Sequence, residues 1–97
     1  MVKVMIKRQI KENTEVKVHD SLVDHRAAAM RRPGYISGET LVNTANPHEI
    51  LVISTWLSLE HWKRWQASKQ RKELTGSLRP LVAEEEVSIY YIAAREG

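Results

Sequence analysis

Four histidines, at positions 19, 25, 48 and 61, and three tryptophans, at 56, 62 and 65, stand out as side chains from which this chain could build chemistry. The histidines come without a His-x-Glu, an HExxH or a pair spaced for one helical face, so the pattern predicts no metal site. Cysteine is absent, which excludes disulfides and thiolate-held metals. No serine lies in a nucleophile-elbow context, and the four glycines make no phosphate-cradling loop. Ordinary hydrolase and nucleotide-binding chemistries fall away.

Two sharper signals remain. At 100° per residue, His19 and Arg26 project between Leu22, Val23 and Met30, two polar groups inside an apolar arc. Either they line a pocket between helix and sheet, where Arg26 would pair with an anionic or enolate-like ligand, or Arg26 snorkels outward over the core and His19 sits at the helix start. The sequence leaves both open. The second signal is the stretch Trp56-Leu57-Ser58-Leu59-Glu60-His61-Trp62-Lys63-Arg64-Trp65. Trp62 falls centrally on a helical apolar face and reads as core, and Trp56 reads as core or interface packing. Trp65 falls at the stripe's edge, from which an indole lines a cleft or joins the core.

The elements that must position these residues follow from the spacing of apolar side chains. Residues 2 to 10 alternate, with Val2, Val4, Ile6 and Ile10 on one side and Lys3, Met5, Lys7 and Gln9 on the other, which predicts a strand. Thr14 to Arg32 has helical spacing, with Val16, Val18, Leu22, Val23, Ala27 and Met30 on one arc, Thr14 as cap and Pro33-Gly34 as stop. Tyr35 to Asn43 predicts a second strand and Ile50 to Leu57 a third, joined through the turn-forming segment 43–48. Ser58 caps a helix carrying Leu59, Trp62 and Gln66. A further helical piece runs from Ser68 to Arg79, weakened by Gly76 and ended by Pro80. Val87 to Ala94 predicts the last strand. This order is that of a single α+β domain over 1–97, a ferredoxin-like split βαβ fold in which both helices cover one face of a four-stranded antiparallel sheet. The other face would stay wet in a monomer, which predicts a homodimer.

A 97-residue chain, 42% hydrophobic and 28% charged, suits one small domain and neither a multidomain enzyme nor a disordered tail. The longest apolar stretch, Ile50-Leu51-Val52-Ile53, is far short of a membrane span, and the start lacks a secretory apolar region, so a cytoplasmic protein without membrane contact is expected. The net charge of +3 is small and dispersed among acidic residues. RNA-recognition modules share the element order, but they stack bases on aromatics of the first and third strands, and residues 2 to 10 hold none. No nucleic-acid partner is expected.

Three segments, Met30-Arg31-Arg32-Pro33-Gly34-Tyr35, then Ile53-Ser54-Thr55-Trp56-Leu57-Ser58-Leu59-Glu60-His61-Trp62, and Ser68-Lys69-Gln70-Arg71, together resemble the antibiotic biosynthesis monooxygenase (ABM) family. The Pro-Gly turn before the second strand and the Trp-x-Ser-x-Glu pattern at the end of the third match in order and spacing across essentially the whole chain. The resemblance implies a dimeric α+β barrel with a ligand pocket between helices and sheet in each subunit. It covers cofactor-independent oxygenases of polyketide phenols, quinol oxidases, haem-degrading enzymes and an isomerase. The haem-degrading branch resembles this chain at Trp65, nine positions after Trp56. Its asparagine would fall at Lys7 and its iron-binding histidine near Thr75, which is no normal axial ligand.

The resemblance therefore implies a monooxygenase without cofactor, acting on a small aromatic, hydroquinone-like molecule that needs a proton acceptor, a dry pocket and room for oxygen. In this reading His61 takes the proton, Arg26 stabilises the oxyanion and Trp65 walls the substrate, with His19, Lys7 and Tyr90 as further pocket candidates. A non-catalytic binding or sensing dimer, or an isomerase of the same family, would use the same pocket.

Overall fold

The computed structural model describes residues 1–95. Strand β1 (Val2–Ile10) leads to helix α1 (Glu15–Ala29), then β2 (Tyr35–Asn43), β3 (Asn46–Trp56), α2 (Leu59–Ala67), α3 (Lys69–Leu78), a 3-10 turn (Arg79–Leu81) and β4 (Val82–Tyr91). The four strands form one antiparallel sheet in the order β2-β3-β1-β4, the ferredoxin-like α+β arrangement. No helix of the described residues is long and apolar enough to cross a membrane.

Alternation along β1 decides which face is buried. Val2, Val4, Ile6 and Ile10 point toward the helices, and so does Arg8, while Lys3, Met5, Lys7 and Gln9 occupy the opposite face. The core is two clusters on the helix side. One gathers Val2, Val4, Ile6, Trp56, Trp62 and Trp65 with Ala28 and Ala29; the other gathers Ile10, Val18, Leu22, Ile50 and Leu78.

The helix that follows β1 differs from its sequence reading. Its inward face is Val18, Leu22, Ala28 and Ala29, whereas Val16, Val23 and Met30 are exposed, Val16 at 75%. Apolar residues are spread around the whole helix, so periodicity selects no face. The small Ala28 and Ala29 are buried in the cluster with Val2, Val4 and Ile6 of β1. Thr14 occupies the N-cap position without capping, since its hydroxyl donates to Lys11 O at 2.6 Å.

The strands that bound the cleft also shift at their ends. β3 starts at Asn46, and the Asn43 side chain accepts from Ala45 N at 2.8 Å to close a tight turn. β4 begins at Val82 because Glu85 and Glu86, poor strand formers alone, meet Arg8 and Lys7 of β1 at 3.1 and 3.9 Å. Ahead of α2 and α3 the Ser58 and Ser68 hydroxyls accept from His61 N and Arg71 N, so each helix starts on a capped turn. Gly34 holds φ +85° where the chain leaves α1, and any Cβ there would collide with the His61 ring.

Candidate functional site

A cleft opens between the helices and the β1-β3-β2 part of the sheet, a cavity of about 60 Å³ that widens to about 550 Å³ when the open space out to its mouth is counted. Its walls are aromatic. Tyr35 and Trp56 meet edge to face with ring centroids 5.4 Å apart, Trp56 and Trp62 at 5.9 Å, and Trp65 completes the row. Trp56 Nε1 donates to Ser54 Oγ at 3.0 Å, which holds that ring in place. The Nε1–H of Trp62 is buried without a partner among the described residues.

Four basic residues line this apolar space: Arg8 on β1, His25 and Arg26 on α1, and Arg71 on α3. Arg8 is 2% exposed and its Nε donates to Glu85 Oε2 at 3.1 Å. Arg71 is 9% exposed, with its guanidinium carbon 5.1 Å from the Trp62 ring centre. Burial, and next the charge of Arg8, weaken Arg71's hold on its proton, while Glu85 strengthens it. Arg32 lies over Trp65 at 5.8 Å on the outer side of the row.

His25 is the side chain with free proton chemistry here. Its Nδ1 lies 2.8 Å from Ser21 O, a carbonyl that can only accept, so the neutral ring carries its proton on Nδ1. The lone pair of Nε2 is then buried without a partner among the described residues. Burial pushes the His25 pKa below its ordinary 6.5, and the Arg8 and Arg71 charges push the same way, against the Ser21 hydrogen bond and Asp24. The unfolded chain therefore binds this proton more tightly than the folded one. Stability is full above about pH 6.5 and falls as pH drops below it toward the lowered folded value. Urea unfolding at pH 7.5 and 5.5 should show that loss in the native protein, and His25→Gln should reduce it.

The sequence-derived candidates divide. Arg26 and Trp65 line the cleft, and Trp65 is also buried against the core. His61 does not line it. Its Nδ1 shares a 2.6 Å hydrogen bond with Ser58 Oγ, and its ring covers Gly34 at the α2 start. His19 is exposed on the outward side of α1, because the buried face runs through residues 18, 22, 25 and 29. Lys7 and Tyr90 lie on the opposite face of the sheet, where β1 and β4 turn them away from the helices.

Sequence reasoning passed over Arg8, His25, Tyr35 and Arg71. Arg8 had a signal, since it is the charged residue in the alternation Val2, Val4, Ile6, Arg8, Ile10. His25 had one too, at one-turn spacing from Leu22 and Ala29. Arg71 had none, because its burial depends on how α3 packs over Trp62. Among the described residues no three His, Cys, Asp or Glu side chains come together as metal ligands.

Comparison with known proteins adds to this geometry. The sequence model of the family described as antibiotic biosynthesis monooxygenase matches residues 1–75. Protein SchA of Streptomyces halstedii is 30% identical over 83 residues, which is 84% of this chain and 21% of SchA, so the chain spans about a fifth of that relative's length. Among solved structures, SnoaB, a cofactor-independent oxygenase from Streptomyces nogalater, superposes with a TM-score of 0.88 at 17% identity, covering 99% of this chain and 94% of SnoaB. A conserved protein from Methanosarcina mazei gives 0.87 at 19% identity over 92% of this chain and 89% of its own. These two likenesses establish the shared fold.

Proposed function

Because the chain belongs to the antibiotic biosynthesis monooxygenase family, we propose that it oxygenates an acidic phenol or hydroquinone in the aromatic cleft, with no metal or organic cofactor. The observation that supports this most is the buried, unpartnered Nε2 of His25 beside Arg26, in a cleft walled by Tyr35 and three tryptophans. Such walls offer faces on which a flat aromatic ring packs, and its hydroxyl supplies the donor that Nε2 lacks. His25, in place of His61, then takes the phenolic proton. The Arg8 and Arg71 charges that oppose a positive charge on His25 favour a negative one on the phenolate, and with Arg26 they offset part of the cost of the transfer.

The anion of an anthrone or hydroquinone is electron-rich enough to pass an electron to dioxygen directly. An anthrone-type ring carbon bearing two hydrogens shows the balance. It loses both hydrogens and becomes a carbonyl with one oxygen atom of O2. The other oxygen leaves as water with those hydrogens, so O2 accepts four electrons and no further reductant is needed.

Oxygen uptake by metal-stripped protein across hydroquinones and polycyclic phenols, corrected with heat-denatured protein, tests the reading. It predicts saturable uptake of one O2 per molecule oxidised. No uptake above the control would refute it, and a ligand retained unchanged would then indicate a binding domain, or a rearranged one an isomerase.

We further propose that a second copy covers the sheet face away from the helices. Leu41 is exposed there and Met5, Leu51 and Ile53 are half-exposed, with Lys7 and Tyr90 beside them. Light scattering at micromolar concentration should give twice the chain mass, and a monomeric mass would contradict the dimer.

A further inference from the structure

Arg71 has no ion-pair partner among the described residues, although it is 9% exposed. The carboxylate nearest in effect is Glu85, which is already bonded to the buried Arg8. Two buried guanidiniums therefore depend on one carboxylate, and both line the same cleft. A largely buried charge without a counter-charge is costly, and stacking on Trp62 offsets only part of that. Arg26 differs, because it is exposed and water solvates it.

We infer that the molecule bound in this cleft carries a second acidic group, a carboxylate, which pairs with Arg71 while its phenol faces His25 and Arg26. The inference rests on the aromatic-substrate reading above and names the class of phenol within it. One guanidinium in excess calls for one negative charge. Its planar fork matches a carboxylate through two parallel hydrogen bonds. A phosphate fits less well, since its third oxygen and second charge would meet indole walls. The unpartnered Trp62 Nε1–H beside Arg71 is one further donor for such a group.

The probe pair is 1,8-dihydroxyanthrone and its 3-carboxylated counterpart, with the methyl ester of the latter as control. Binding is read anaerobically by quenching of tryptophan fluorescence, since all three tryptophans line the cleft. The acid should bind roughly 10- to 100-fold more tightly than the ester or the parent, as a buried charge-assisted pair implies. Arg71→Met should erase that gap, whereas Arg71→Lys should keep part of it.

Equal binding of acid and ester to the native protein, or a gap that survives Arg71→Met, would overturn the inference. The comparison of acid with ester needs no variant, so a poorly folding substitution does not blunt the test. Oxygen uptake is read separately. A persistent gap without uptake in air would refute the oxygenase reading and support the carboxylate.

Discussion

Replacing His25 by glutamine is expected to lower turnover of a phenolic substrate about 10²- to 10⁴-fold, the usual worth of a positioned general base. Glutamine keeps a polar side chain of similar length near Ser21 but cannot take a proton, so KM should change little while kcat falls. The pH profile distinguishes this from a merely structural role. Only neutral His25 can act, and burial holds its pKa below 6.5, so kcat/KM should rise with pH through a midpoint below that value and be flat at neutrality. The variant's residual rate should lack this limb. Removing the nearby positive charge in Arg8→Met should move the native midpoint upward, since that charge opposes protonation of His25. Turnover within twofold of native in His25→Gln would end the assignment.

Trp56→Ala should produce the largest loss of stability, about 3–5 kcal/mol. Trp56 is 0% exposed and touches both Tyr35 and Trp62 edge to face, so truncation leaves a cavity at the base of the aromatic row. Its Nε1 bond to Ser54 Oγ is lost as well, and Ser54 then faces that cavity. Urea unfolding measures the change. A loss under about 1 kcal/mol would mean that the neighbouring rings close the gap, and that the row is not the rigid wall described above.

Much of the fold was legible where a local rule and the tertiary structure agree. Strict alternation marked β1, Pro33-Gly34 marked the end of the first helical segment, and Ser58 and Ser68 each marked a helix start. Two kinds of feature escaped. β4 runs back to Val82 because its glutamates meet the basic side chains of β1, a pairing with no local trace. In α1 two apolar stripes compete, and the one through Val18, Leu22 and Ala29 meets the sheet. That choice carries His25 into the cleft and leaves His19 in water.

The same distinction governs the site. Arg26 was marked as a polar group inside an apolar arc and Trp65 as an indole at a stripe's edge, and both line the cleft. His61 was marked by its place beside tryptophan, yet the helix turn that begins at Ser58 directs its ring over Gly34. Arg8 and His25 were readable as polar residues at positions whose neighbours are buried. Arg71 becomes buried only once α3 has packed across Trp62, a contact no spacing rule contains.

The proton transfer to His25 can be watched without the oxygen step. An anthrone mixed anaerobically with the protein at pH 7, where it is largely un-ionised in solution, should show the red-shifted absorbance of its anion when bound to the native chain. It should stay un-ionised when bound to His25→Gln. An anion band of equal strength in both proteins, or none in the native one despite binding, would contradict the account.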